Sequence, residues 1–356
     1  MNHRIRLPAE WEPQSGVMLT WPHDWTDWAD QLDRAEAVMV AIATAITRDE
    51  RLVCVARDET HRRHIDQQLQ MAGIPSGRVC WATAPSNDSW ARDHGPLTTL
   101  DRNGKAELHD FRFDGWGRKF PADLDDTITA ALHQQYAFDD SPLRTHRLVL
   151  EGGAVETDGA GTLLATRSSV LDPTRNPGWS TAEIEEYLRD NLGFDRLLWL
   201  DHGELTGDDT DAHIDVLARF ADAQTIVHST APPGDADHAS LTAMAGQLAG
   251  FRDRSGRPYR LIPLPFPGVH LDDGGRRLPA SYANFLITNH SVLLPVYGVE
   301  ADAEAIHILA ACFPTRRVVP IDCRPIIRQN GSLHCLTMQF PQAVPLCRQD
   351  PLEIAR

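Results

Sequence analysis

Short strand-like apolar runs alternate with helix-like stretches along this chain, and one order of elements keeps returning. A helix is predicted over residues 59–72, ending at Gly73 as its C-cap, followed by a strand at 78–83. A polar loop, SNDSWARDHGP, comes next. Strands at 97–101 and 106–113 then meet at Asn103-Gly104, a strong hairpin signal. The second pass has a helix at 123–136, a strand at 146–150, the segment EGGAVE, and a hairpin turning at 158–161. The third opens with a helix at 181–192, where Ser180 and Glu183 stand at capping-box spacing. It continues through a strand at 196–201 and the strand-like runs HIDVLARF and TIVHST. The fourth has a helix at 235–250, a strand around 259–264, and a hairpin SYANFLIT/SVLLPVYG turning at Asn289-His290. The fifth has a helix at 301–312, a strand at 316–322, and a last strand, GSLHCLTMQF. An extra amphipathic helix, about 29–47, carries Leu32, Ala35, Met39, Ile42 and Ile46 on one face. The run GVMLTW at 16–21 is placed to pair with the last strand and close a ring.

Any α/β protein alternates helices and strands, and these units share no sequence motif. The odd polar clusters favour radial repetition. Asp93, Glu151, His213, Asn284 and Cys335 fall one to a unit, in or just after the corresponding loop. Five small sheets around an axis, an arrangement that removes long exposed edges, would bring all five loops to one end.

Length and charge narrow the function. The 356 residues, 42% hydrophobic, suit a folded α/β protein rather than a disordered chain. Lys and Arg number 34 against 50 Asp and Glu, a net charge of −16. Such a surface repels phosphate backbones and draws in small cations, so no nucleic acid partner is expected. The N-terminus, MNHRIRLPAEWEPQSG, lacks the apolar core of a signal peptide, and no apolar run approaches the roughly 18–20 residues of a membrane span. A cytoplasmic protein with no membrane partner is the expectation. Cys54, Cys80, Cys312, Cys323, Cys335 and Cys347 make no CxxC pair. In a reducing compartment they read as buried thiols with at most one reactive.

Five segments can carry chemistry. Cys335, in an apolar run after a glycine turn, reads as a core cysteine or as a nucleophile in need of a base. In DDTDAHID, His213 and Asp215 are two apart and would share a face of a strand. Histidine can shuttle protons and a nearby carboxylate can hold a cation or the imidazole. No second histidine completes a zinc set. In NDSWARDHGP, Trp90, Arg92 and Asp93 share a polar loop that also reads as a simple Asx-rich turn. In LEGGAVETDG, Glu151 precedes two glycines that permit close backbone approach, and the phosphate-loop frame is missing. Asn284 lies in the strand-like PASYANF, where a buried amide needs hydrogen-bond partners. One cysteine, one histidine and several acids suit a guanidinium. Two carboxylates grip the planar cation, a thiolate attacks its carbon, and histidine protonates the leaving amine. A cysteine hydrolase of amide bonds is the competing enzyme reading, and a non-catalytic cation-binding module the competing binding reading.

Taken together, NDSWARDHGP, LEGGAVETDG, TRNPGWS, DDTDAHID, PASYANF and LHCLTMQ resemble, in order, the motifs of the agmatine deiminase branch of the guanidino-group-modifying, pentein-fold superfamily. The same sequence family holds the bacterial peptidyl-arginine deiminases. The resemblance implies an α/β fold, a five-bladed α/β propeller with pseudo-fivefold symmetry, and one catalytic domain over residues 1–356. It implies hydrolysis of agmatine to N-carbamoylputrescine and ammonia with no metal or organic cofactor, or the same chemistry on peptidyl-arginine or another ω-guanidino compound. By motif, Cys335 resembles the nucleophile that forms an amidino-cysteine intermediate and His213 the general acid/base. Asp93 and Asp215 resemble the guanidinium clamp, and Asp209 an acidic position near the substrate. Trp90, Glu151 and Asn284 match pocket or supporting positions. A homodimer is also implied. The chain departs from the family pattern at Asn330-Gly331-Ser332, where a glycine run is usual, and at Ala212, where glycine often precedes the motif histidine.

Overall fold

Apolar side chains on alternating elements must be buried on both sides of small sheets, and this chain does so five times with one plan. The computed structural model describes residues 5–347; the remaining residues of the expected 1–356 domain, including the first four of the N-terminus, lie outside them. In the first sheet, Thr337–Pro341 runs antiparallel to Gln14–Thr20, which is parallel to Arg51–Ala56 and through it to Val79–Thr83. The expected pairing of the 16–21 run with the last strand is therefore present. The second sheet orders Ile5–Arg6, Leu97–Asp101, Ala106–Arg112 and Leu143–Val149. The third joins Glu156–Thr157, Thr162–Thr166 and Arg196–Leu200. The fourth joins Ala218–Asp222, Thr225–His228 and Arg260–Pro263. The fifth joins Leu286–Ile287, Ser291–Val296 and Arg317–Asp322. A separate ribbon pairs His270–Leu271 with Arg277–Leu278.

In every one of the five, a tight connection or the chain's return makes an antiparallel pair, and a helix then carries the chain to a parallel neighbour. The crossover helices are Leu32–Asp49 and Glu59–Met71 in the first sheet, then Ile128–Gln134, Thr181–Leu192, His238–Gly250 and Ala301–Cys312. Parallel strands need such a crossover. Each helix buries one face: Ala35, Met39, Ile42 and Ile46 of the first are all inaccessible or nearly so, while Leu32 is half-buried. Full burial of a side chain such as Ile42 contributes about 1.5–3 kcal/mol. Ser180 caps the third helix with the reciprocal Glu183 bonds, and Gly193 ends it in the left-handed conformation.

The differences from the sequence reading lie where side chains claim the backbone. The 123–136 helix is reduced to Ile128–Gln134 behind a 3-10 turn, Asp125–Thr127, because the Asp125 carboxylate accepts from the backbone of Asn87 and Asp88. His213 and Asp215 are not in a strand: Ile214–Val216 is a 3-10 turn, and the strand begins at Ala218. Cys335 likewise lies in a 3-10 turn, His334–Leu336, and Asn284 precedes its strand. The cysteines are also not all thiols. Cys80 and Cys347 form a disulfide, tying the strand Val79–Thr83 to the chain beyond the last strand, while Cys54, Cys312, Cys323 and Cys335 are free. Among the described residues no helix is long and apolar enough to cross a membrane.

Candidate active site

The strand plan places a short polar turn before the first strand of each sheet, and those five turns carry the singled-out residues. Asp93 lies in the short helix Ala91–His94, Glu151 just before the turn Gly152–Ala154, and His213 just before Ile214–Val216, which holds Asp215. Asn284 precedes Leu286–Ile287, and Cys335 sits in His334–Leu336. All six side chains are buried.

Gly153 is their meeting point. A Cβ on Gly153 would lie 2.6 Å from His213 Nδ1, 2.7 Å from Asp93 Oδ1 and 3.3 Å from Asp215 Oδ2. Only a residue without a side chain lets those atoms close in. The Gly153 N–H donates to Asp93 Oδ1 at 2.9 Å, and the Trp116 indole N–H donates to Oδ2 at 3.0 Å. His213 Nδ1 stands 3.6 Å from Asp93 Oδ1. Cys335 Sγ is 3.7 Å from Asp215 Oδ2. The Asn284 amide donates to Cys335 Sγ at 3.2 Å and to Asp215 Oδ2 at 3.1 Å, and its oxygen accepts from the His334 N–H at 2.8 Å.

Trp90, Asp93, Asp209 and Cys335 line one cavity of about 470 Å³. Gly331 lies flat on the Trp90 ring, where a Cβ would come within 2.1 Å. Asp209 accepts from Asn330 Nδ2 at 2.7 Å. Glu151 and Asn284 do not line the cavity, and neither do His213 and Asp215, which adjoin its lining residues Asp93 and Cys335 at 3.6 and 3.7 Å. Glu151 instead pairs with the buried Arg175 at 2.7 Å, and Arg175 also holds Asp211 at 2.7 Å and the Thr210 carbonyl at 2.9 Å. Glu151 thus fixes the segment that presents His213. In that segment Asp211 and Ala212 have φ of 64° and 68°, a left-handed pair without glycine. The backbone there explains why glycine suits the position of Ala212.

The electrostatics describe a site waiting for positive charge. Burial pushes the Cys335 thiol well up, and the charges of Asp215 and Asp93 add to it. Burial, then the charges of Asp215 and Glu151, also push Asp93 well above the carboxylate range. Burial depresses His213 to about 3 against the pull of Asp215. Of the two aspartates, Asp215 stays below its usual range: burial acts to raise it, and the hydrogen bond and charge of His334, with the charges of His213 and Arg219, together outweigh that. Both ring nitrogens of His213 and Oδ1 of Asp215 have no hydrogen-bond partner among the described residues. A cation set between the two aspartates would lower both Asp93 and the thiol, since an opposite charge within about 4–6 Å favours the ionised form. Among the described residues no three His, Cys, Asp or Glu side chains form a metal-holding group.

Several contributors are not singled out from the sequence: Trp116 on Asp93, Arg175 on Glu151, and the group behind Asp215, namely His334, Glu10 and Arg219. Arg219 offered the best hint. It stands in the apolar run LARFA, and a charge inside a buried strand demands a buried partner.

Comparison with known proteins agrees with this geometry. A family model described as Porphyromonas-type peptidyl-arginine deiminase matches residues 6–341. The agmatine deiminase of Stutzerimonas stutzeri is 34% identical over 94% of this chain and 95% of its own. The crystal structure of a provisionally named arginine deiminase from Porphyromonas gingivalis superposes with a TM-score of 0.88 at 47% identity, covering 95% of this chain and 99% of that one. A cysteine-to-serine variant of C. jejuni agmatine deiminase with substrate bound gives a TM-score of 0.88 at 28% identity, covering 98% of each chain.

Proposed function

Because the chain belongs to the Porphyromonas-type peptidyl-arginine deiminase family, we propose that it hydrolyses agmatine to N-carbamoylputrescine and ammonia through a covalent amidino-cysteine. The observation that carries this reading is the convergence of Asp93, His213 and Asp215 on Gly153, with Cys335 Sγ 3.7 Å from Asp215.

Asp93 and Asp215 grip the guanidinium through its N–H groups, a paired arrangement that aligns the plane as well as neutralising it. Its positive charge lets Cys335 ionise, so nucleophile and substrate charge arrive together. The thiol proton passes to His213, the Cys335 sulfur bonds to the guanidinium carbon, and His213 gives that proton to one terminal nitrogen. That C–N bond breaks and ammonia leaves, with the amidino group on sulfur. Water then adds to the same carbon, giving a proton to His213. The C–S bond breaks, the thiolate is restored, and the carbon leaves as a carbamoyl group. Asn284, donating to Cys335 Sγ, steadies the sulfur as charge develops on it.

The outer cavity supports agmatine over free arginine. Asp27, Asp88, Asp125 and Asp209 line it, against Arg276 and Arg328. Arg276 is engaged by Asp272 at 3.0 Å and by Asn330 Oδ1 at 2.6 Å, and Arg328 by Asp273. Among the described residues these four acids are in no ion pair, although Asp88, Asp125 and Asp209 accept hydrogen bonds; they suit the distal amine of agmatine, and the engaged arginines leave a carboxylate without a ready partner. The P. gingivalis relative favours the second reading, an arginine guanidinium, with peptidyl-arginine its family form. In the same reading the five sheets are blades of a five-bladed propeller with pseudo-fivefold symmetry, residues 1–356 form one catalytic domain, and the enzyme is a cytoplasmic homodimer. The shared strand plan supports the first of these, and light scattering checks the assembly.

The test is ammonia release by purified protein from agmatine, free arginine and a blocked arginine peptide, side by side. Release from agmatine alone is expected. Release only from the peptide or from arginine keeps the chemistry and replaces the substrate. No release from any guanidine sinks the reading.

A further inference from the structure

Behind the nucleophile lies a chain of buried charges that the deimination steps leave unused. His334 is 2% exposed, and each of its ring nitrogens faces a carboxylate. Its Nδ1 lies 2.8 Å from Asp215 Oδ2, and its Nε2 lies 2.9 Å from Glu10 Oε2. A neutral imidazole has a single N–H. A neutral ring would therefore aim a nitrogen lone pair at one carboxylate oxygen. An imidazolium donates at both contacts.

Glu10 is in turn fixed on its far side. Arg219 Nη2 donates to Oε2 at 2.7 Å, and the Ile287 N–H donates to Oε1 at 2.7 Å. Arg219 Nε donates to Glu156 Oε2 at 2.6 Å, and its Nη1 donates to the Phe285 carbonyl at 2.8 Å. Arg92 approaches Glu10 to 4.0 Å. The charged and titratable groups facing His334 are thus Asp215 and Glu10 in contact, Arg219 and Arg92 behind them, and the adjoining Cys335. The N-terminal segment, through Glu10, and the turn before the last strand, through His334, meet on a residue of the third unit.

We propose that His334 is a positioning residue: it stands as an imidazolium between Asp215 and Glu10, and so keeps the Asp215 carboxylate ionised and aimed into the site. Its kinetic consequence rests on the deimination reading; its protonation does not. Supporting this, both carboxylates stay below their usual range despite burial, Glu10 by Arg219 and His334 and Asp215 by His334. Two carboxylate contacts, one on each ring nitrogen, ask for two N–H donors, and this geometry puts the second proton on the ring. Burial, with the charges of Arg219 and Arg92, draws the ring below the usual imidazole value against the pull of Glu10 and Asp215; against this stand the two carboxylate contacts, which only a doubly protonated ring satisfies as donor. With His334 neutral, Asp215 would lose its nearest positive partner, leaving only the more distant charge of Arg219 and the Asn284 amide against burial, and one half of the guanidinium clamp would be weakened.

Two measurements test this. The first is nitrogen-15 NMR of histidine-labelled wild type, compared with His334→Asn, from pH 5.5 to 8.5. One ring protonated on both nitrogens through pH 8, missing from the variant, is expected. A wild type with no such ring at pH 7.5 overturns the proposal, and this holds whatever the substrate is. The second is the pH profile of kcat/KM for agmatine. The shorter amide of His334→Asn reaches Asp215 without supplying charge. A fall of about 10- to 100-fold is expected, the loss of one charge-assisted hydrogen bond. The acid limb should also move up by about one pH unit or more. An unmoved acid limb in a folded variant overturns the positioning role. If His334→Asn does not fold, His334→Gln replaces it, and the wild-type titration stands alone. Wild type that releases no ammonia from agmatine counts against the proposed function and leaves the NMR result to decide this one.

Discussion

Gly153→Ala puts one methyl group where three reacting side chains converge. The added Cβ would sit 2.6 Å from His213 Nδ1 and 2.7 Å from Asp93 Oδ1, whereas ordinary contact begins near 3.4 Å. The imidazole and the carboxylate would have to retreat by about 0.8 and 0.7 Å. His213 is 1% exposed and has no space to move into, and Asp93, though it borders the cavity, is held by hydrogen bonds to both of its oxygens. Misplacement of about 1 Å costs roughly 100-fold in rate. Overpacking adds a stability loss of about 1–3 kcal/mol. The backbone is not the cause, because Gly153 is not among the left-handed glycines. Gly246→Ala is the control: it lies in the helix His238–Gly250 with nothing within 4 Å of the new Cβ, and should leave activity unchanged. The assay is kcat/KM for ammonia release, with a melting curve for each variant. Gly153→Ala within threefold of wild type would refute the convergence as the working arrangement.

Asp93→Asn should lower transition-state binding by about 2–5 kcal/mol, the usual loss on breaking a buried charge pair; a variant with near-normal kcat/KM would remove Asp93 from the clamp. Ala212→Gly should raise stability by about 1 kcal/mol, since the left-handed φ of 68° penalises a Cβ, and denaturant melts will read it. His109 and His146 form a buried chain, Thr99 to His109 to His146 to Tyr187, and burial depresses the rings to about 3 and 4. The folded state holds them neutral, so their stabilisation is present above pH 6.5 and lost as pH falls toward 4. Between pH 7 and pH 4 the wild type should lose about 3 kcal/mol relative to His146→Gln, whose side chain does not titrate. Urea melts at both pH values measure that gap, and a constant gap would mean an ordinary histidine pKa at 146.

Local signals located what is locally determined. Ser180, Glu183 and Gly193 mark the helix Thr181–Leu192 because caps satisfy the helix's own backbone groups. Asn103-Gly104 marks its hairpin for the same reason. The turns holding Asp215 and Cys335 read as strands because their apolar neighbours alternate, while the backbone follows contacts made by distant segments. Cys335 meets Asn284 and Asp215 across 51 and 120 residues, and His334 meets Glu10 across 324. The pairing of Cys80 with Cys347 spans 267 residues. The motifs could name which residues belong to the site, but their convergence on Gly153, and the charges behind Asp215, arise only when five separate turns are packed together.

The central claim is that Cys335 carries the substrate's amidino group between two half-reactions. Wild type mixed with agmatine, quenched in acid within one turnover and digested, would be mapped by mass spectrometry. An amidino adduct on the Cys335 peptide that forms with the first ammonia and then decays is predicted. Ammonia release with no adduct on Cys335 at any time, or an adduct on Cys54, Cys312 or Cys323 instead, would contradict the account.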